Sequence, residues 1–215
     1  MLLSDRILNT DRALILCPHT DDEYGCAGTI VRLVKSGAEI RYIALSKCEE
    51  SVPEGFPSDI LAKECKECTG ELGLKPENVD IWKYPVRNFP AYRQEILQDL
   101  YNINKEYNPD LVILPTSSDT HQDHVTVYAE GFRAFKHASI LGYELPQNLR
   151  SFENTAFVRL SKEDMALKIK GLSCYKSQLF RRYSQPDFIK SLAMVRGVQC
   201  NTEFAEAFEL IRLII

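Results

Sequence analysis

Two short segments hold most of the residues that could do chemistry. Cys17-Pro18-His19-Thr20-Asp21-Asp22-Glu23 sets one imidazole beside three carboxylates, and His121-Gln122-Asp123-His124 sets two imidazoles around another. Crowded carboxylates repel one another, and burying them without a counter-charge is costly. A divalent cation is the simplest counter-charge, and imidazole with carboxylate is a donor set such ions accept. His19 and Asp22 stand i, i+3, as do His121 and His124, so each pair can point one way across a helix start. A helix N-terminus favours carboxylate and disfavours imidazolium, and metal ligands need those protonation states. Taken alone, either segment reads equally as a capped helix start with acids matching the helix dipole. The two together, if they meet, point to a metal-assisted reaction.

The elements around them say where they would meet. Ala13-Leu14-Ile15-Leu16 is a continuous apolar run, as expected of a parallel strand buried on both faces. Helical spacing over 22–35 stops at Ser36-Gly37, and 39–45 reads as a second strand. Residues 46–57 read as a loop, 61–72 as a helix, 79–84 as a strand and 85–90 as a second loop. A helix over 92–107 closes at Asn108-Pro109 before a fourth strand, 111–114. Beyond the second cluster, 125–139 reads as helix, 152–160 contains a candidate strand and 162–175 is helical. Residues 203–215 fit a helical period and a strand about equally.

Strands alternating with helices predict an α/β fold: a Rossmann-like, doubly wound, mostly parallel sheet with helices on both faces. The absence of linkers, repeats and low-complexity tracts predicts one domain over residues 1–215. In the strand order 3-2-1-4 the first and fourth strands are neighbours and the order reverses between them. Both clusters would then lie on the rim where such sheets place their sites. A dinucleotide is disfavoured, because Gly25 and Gly28 do not form G-x-G-x-x-G and three acids would repel a pyrophosphate.

Composition narrows the partners. A net charge of -4, without a dense run of lysine and arginine, argues against nucleic acid. No membrane span is expected, and Met1-Leu-Leu-Ser-Asp-Arg-Ile does not read as a signal peptide, so a cytoplasmic location is expected. Self-association into a homo-oligomer is left open. Seven irregularly spaced cysteines read as buried thiols. Cys65-x-x-Cys68 has no second pair to complete a structural zinc site, so it reads as two thiols on a helix.

Pro18-His19-Thr20-Asp21-Asp22-Glu23 resembles the P-H-P-D-D-E motif, and His121-Gln122-Asp123-His124 the H-x-D-H motif, of the PIG-L/LmbE family. Lys176-Ser177-Gln178 is similar to its K/R-S-Q segment, and Arg196-Gly197 with Ala205-Glu206-Ala207-Phe208 to its R-G…A-E-A-F ending. Thr20 stands where proline is usual, and Leu61 where an arginine often precedes the glutamate aligned with Glu64.

The resemblance implies an N-acetylglucosaminide deacetylase or related amidase, dependent on Zn2+ or another divalent ion such as Fe2+. It implies His19, Asp22 and His124 as metal ligands, with a position left for water, the arrangement of catalytic zinc. It implies Asp21 as general base, and His121 as stabiliser of the oxyanion, with Asp123 orienting His121 and favouring its charged form. Glu23 would bind backbone at the helix start. Asp119 reads as a sugar contact or a turn residue. Arg87, Arg93 and Arg181 or Arg182 could meet a phosphate or nucleotide on the substrate. Ser177-Gln178 reads as packing, and His137 as surface.

The expected reaction is removal of an N-acetyl group from a small-molecule amino-sugar conjugate, as in glycan or polysaccharide biosynthesis. One rival is an amidase on a non-acetyl amide such as a thiol conjugate. Another is a carbohydrate- or nucleotide-binding module without catalysis, which would need no base beside its ligands.

Overall fold

Alternate residues of the first strand go to opposite faces, and both faces are covered. Ala13, Ile15 and Cys17 join one core, and Leu14 and Leu16 join the other. Two covered faces leave no place for the polar alternation of a half-exposed strand. The computed structural model describes residues 10–215, and the reading of residues 1–7 lies outside them.

Among the described residues seven strands form one sheet: β1 (Arg12–Cys17), β2 (Glu39–Ala44), β3 (Val79–Ile81), β4 (Leu111–Pro115), β5 (Ser139–Tyr143), β6 (Ala156–Leu160) and β7 (Phe204–Arg212). Their order is β3-β2-β1-β4-β5-β7-β6. The first five are parallel, and β7 runs antiparallel to both β5 and β6. The helices are α1 (Ala27–Lys35), α2 (Ile60–Glu71), α3 (Arg93–Tyr107), α4 (Gln122–Ala134), α5 (Lys162–Leu172) and α6 (Pro186–Gln199). Residues of α1, α2, α5 and α6 fill one core, and residues of α3 and α4 the other. The fold is α/β, with helices on both faces of a mostly parallel sheet. Among the described residues no helix is long and apolar enough to cross a membrane.

Several expected elements differ. The first helix starts as a 3-10 turn, Asp22–Gly25, and becomes α-helical only at Ala27. Gly25 ends that turn against the strand side of the site, where a Cβ would come 2.8 Å from the Glu144 carbonyl oxygen. The helix expected over 125–139 ends at Ala134, and residues 139–143 form β5 instead. Residues 204–212 are strand, all buried from Phe204 to Phe208 because both faces of β7 are covered at that end. Helix α6 was not read from sequence; it buries only Ile189, Ala193 and Gly197. Of the cysteines, Cys65 and Cys68 are buried free thiols on α2, whereas Cys174 and Cys200 are only half-buried.

The register settles what the rim holds. Ala13, Leu14 and Ile15 pair with Leu111, Val112 and Ile113, so β1 and β4 end side by side. The order reverses between them, at the point where an open α/β sheet forms its crevice.

Candidate active site

The loop leaving β1 and the segment leaving β4 bring His19, Asp22 and His124 into contact. His19 Nδ1 lies 3.2 Å from Asp22 Oδ2, His124 Nε2 lies 3.3 Å from the same oxygen, and the two nitrogens are 3.1 Å apart. Asp22 reaches this point because Oδ2 also accepts the His19 backbone N–H at 2.7 Å, which tightens the turn. His124 sits in the first turn of α4, and its Nδ1 pairs with Asp119 Oδ2 at 2.8 Å. With Nδ1–H donating there, Nε2 turns a lone pair to the centre. On the far side of His19, Nε2 meets Asp123 Oδ2 at 3.0 Å.

Two ring nitrogens and a carboxylate oxygen therefore converge within bonding distance of one another. Only a positive species between them relieves the repulsion: a proton on His19, or a cation. Burial opposes charge on His19, yet Asp22 and Asp123 outweigh it and hold the imidazole pKa well above its ordinary value. Burial also works against Asp22, but His124 and His19 keep its carboxyl below the usual range.

The donor set fits a tetrahedral metal. Ligand bonds of about 2.0–2.1 Å place neighbouring donors about 3.3 Å apart, and the three observed separations are 3.1–3.3 Å. His19, His121 and His124 form a second grouping, spread over 4.8 Å. Two donors on one ion at these bond lengths can be no more than about 4.2 Å apart. The second grouping would need His121 to move.

The surrounding residues line a cavity of about 260 Å³, bordered by His19, Asp21, Asp22 and His121 together with Arg87 and Arg181. Burial and the neighbouring Asp22 raise the Asp21 carboxyl to about 6, against the pull of His19 and Arg181. His121 caps α4, its Nδ1 accepting the Asp123 backbone N–H at 3.2 Å. Burial and the two neighbouring histidines lower its pKa. A neutral His121 that accepts at Nδ1 carries its hydrogen on Nε2.

Three residues make contacts beyond those expected of them. The Asp123 carboxylate does not hold the His121 ring: it pairs with His19 and accepts the backbone N–H groups of Arg87 at 2.6 Å and Phe89 at 3.2 Å. Neither that geometry nor the pKa direction favours a charged His121. Glu23 binds the hydroxyls of Tyr42 and Tyr175 in addition to backbone at the helix start, and burial raises its carboxyl to about 7 against those hydrogen bonds. Asp119 orients His124 with Oδ2 and accepts the His121 N–H with Oδ1 at 2.8 Å. Its position two residues before His121 was the only signal in the sequence. Arg93 and Arg182 are not among the cavity residues; Arg93 pairs with Glu130. His137 is exposed, on the turn after α4. Ser177 and Gln178 are buried, and Ser177 donates to Glu64 through both N (2.9 Å) and Oγ (2.5 Å).

Solved structures with this fold differ in what they catalyse. N,N'-diacetylchitobiose deacetylase from Pyrococcus horikoshii superposes with a TM-score of 0.77 at 22% identity, over 94% of this chain and 84% of that one. GalB, the 4-carboxy-2-hydroxymuconate hydratase from Pseudomonas putida KT2440, matches with a TM-score of 0.77 at 16% identity, over 95% and 98%. The zinc-inhibited form of teicoplanin deacetylase Orf2 matches with a TM-score of 0.72 at 14% identity, over 92% and 96%. At these identities the likeness is one of fold, and the reaction must be argued from the site. In sequence, residues 14–135 match the family described as GlcNAc-PI de-N-acetylase. That span covers more than half of the chain and includes both clusters, so this chain belongs to the PIG-L family.

Proposed function

We propose that the protein is a divalent-metal-dependent hydrolase that removes the N-acetyl group from an amino-sugar conjugate, with zinc as the first candidate ion. The observation that carries this reading is the triangle of His19 Nδ1, Asp22 Oδ2 and His124 Nε2, with edges of 3.1–3.3 Å, opening onto a cavity beside Asp21. The family description and two deacetylases among the structural neighbours support the N-acetyl substrate. A divalent ion at such a site supplies Lewis acidity and lowers the pKa of water from near 16 to roughly 7.

The remaining roles belong to the chain. Asp123 and Asp119 fix the ring orientations of His19 and His124, as carboxylates behind metal-binding histidines do. Asp21 takes a proton from the attacking water, for which a carboxyl near 6 is well matched at neutral pH. The water oxygen bonds to the acetyl carbon, and His121 Nε2–H donates to the carbonyl oxygen as it gains charge. The C–N bond then breaks, Asp21 returns the proton to the departing nitrogen, and the products are acetate and a free amine.

The test is to incubate metal-loaded protein with a panel of N-acetylglucosamine conjugates and assay acetate and primary amine together. Equal amounts of both are expected. Asp21→Asn should keep its metal and lose about 10²–10⁴ in kcat. An amine released without acetate would mean a different amide is cleaved. Full activity in Asp21→Asn would remove it as the base.

A further inference from the structure

Two guanidiniums border the cavity without a close ion pair to a carboxylate, although the charge of Arg181 bears on Asp21. Arg32, Arg41, Arg93, Arg133 and Arg196 each meet an acidic oxygen within 4.0 Å; Arg87 and Arg181 meet none among the described residues. Arg181 is held at its side chain, and Arg87 at its backbone. Arg181 Nε donates to Gln178 Oε1 at 2.7 Å, Gln178 Nε2 donates to Ser177 Oγ at 3.2 Å, and Ser177 is anchored on Glu64 of α2. Glu64, Ser177 and Gln178 are all buried. The rings of Phe180 and Tyr183 lie 5.0 and 5.7 Å from the Arg181 guanidinium carbon. This chain fixes one edge of the guanidinium and leaves the Nη edge without an acidic partner.

Arg87 is fixed through its backbone. Its φ of +66° is a left-handed conformation that costs a residue with a side chain of its own. Asp123 accepts its N–H and the Gln122 amide donates to its carbonyl, so the carboxylate that orients His19 also holds this turn. The side chain's contact is a 3.4 Å approach to Ser51 Oγ.

An arginine fork held in advance loses little entropy on meeting a planar or tetrahedral oxyanion, and such hydrogen bonds are stronger than neutral ones. We propose that Arg87 and Arg181 form an oxyanion subsite beside the hydrolytic centre, selecting amino-sugar conjugates that carry a phosphate or carboxylate next to the N-acetylated ring. The substrate class rests on the deacetylase reading above; the anion site itself does not.

Three glycosides separate the cases: N-acetylglucosamine 1-phosphate, the carboxymethyl glycoside and the neutral methyl glycoside. The better anionic substrate should exceed the methyl glycoside in kcat/KM by about tenfold, and the gap should shrink as salt is added. Its identity tells phosphate from carboxylate. Arg181→Gln and Arg87→Gln should each narrow the gap while metal content and melting temperature hold. Lys162→Gln, the same charge change at an exposed ion pair with Glu203, should leave it alone. Equal kcat/KM on all three glycosides, or a gap narrowed equally by Lys162→Gln, overturns the subsite. Acetate from none of them is a failure of the deacetylase reading instead. Titration calorimetry with inorganic phosphate on metal-loaded protein then decides the subsite alone: binding weakened by both arginine variants upholds it, and binding equal to wild type refutes it.

Discussion

Two buried polar clusters flank the start of α1, and they are built on opposite principles. Around Glu206 every acceptor finds a donor. Its carboxylate receives Gly28 N at 2.8 Å, Thr29 N at 2.7 Å, Thr29 Oγ1 at 2.6 Å and Lys168 Nζ at 2.6 Å, and Lys168 also donates to the Tyr24 carbonyl at 3.0 Å. Around His19, Asp22 and His124 three acceptors face one another and want a positive charge that no lysine or arginine delivers. Burial of charge is therefore no mark of chemistry here. The saturated cluster fastens β7 and α5 to the helix that follows the His19–Asp22 turn; the unsaturated one faces the cavity.

Breaking the saturated cluster should cost folding. Glu206→Gln leaves Lys168 buried without its counter-charge, and unfolding by urea should show a loss of about 3–5 kcal/mol. Metal affinity of the folded fraction should stay near wild type. A loss of metal with intact stability would mean the two clusters are not separate in function.

Breaking the unsaturated cluster should cost turnover. His121→Ala removes the Nε2–H donor and the α4 cap while leaving the three atoms of the triangle in the chain, and kcat should fall by about 10²–10³, or about 2.7–4 kcal/mol, with bound metal unchanged. Should metal be lost instead, His121 would be a ligand and the wider three-histidine grouping the true centre.

The smallest effect concerns the junction of the two. A Cβ on Gly28 would come 2.5 Å from Leu160 Cδ1 and 3.0 Å from Glu206 Oε1. Gly28→Ala should destabilise by about 1–3 kcal/mol in thermal or urea unfolding, the leucine tip yielding more readily than the carboxylate. An unchanged melting temperature would show the saturated cluster to be looser than its distances imply.

What could be read from sequence follows the same division. The strand order around β1 and β4 was legible because parallel strands buried on both faces are continuous apolar runs, with the two clusters at their ends. Strand β5 was hidden because Gly142 must stay bare: a Cβ there would come 2.8 Å from Thr116 Cα, so the run Ser139–Tyr143 is broken by a residue of no hydropathy. Helix α6 buries a stripe of mostly small residues while Met194, Val195 and Val198 are exposed, which blurs its period.

Within the site, residue types were legible and partners were not. Asp123 is two positions from His121, and residues that close on a helix do not face each other; its carboxylate turns to His19 across the crevice instead. Glu23 finds Tyr42 and Tyr175, far away in sequence, and no local rule could name them. The pairing of Asp119 with His124 spans the turn into α4, where helical spacing does not apply.

The most direct test of the central claim is anomalous diffraction at the metal absorption edge on crystals of the metal-loaded protein. One peak is expected, about 2.0–2.2 Å from His19 Nδ1, Asp22 Oδ2 and His124 Nε2. A peak bonded to His121 in place of Asp22, or none at this rim in protein shown by elemental analysis to carry the ion, would contradict the account.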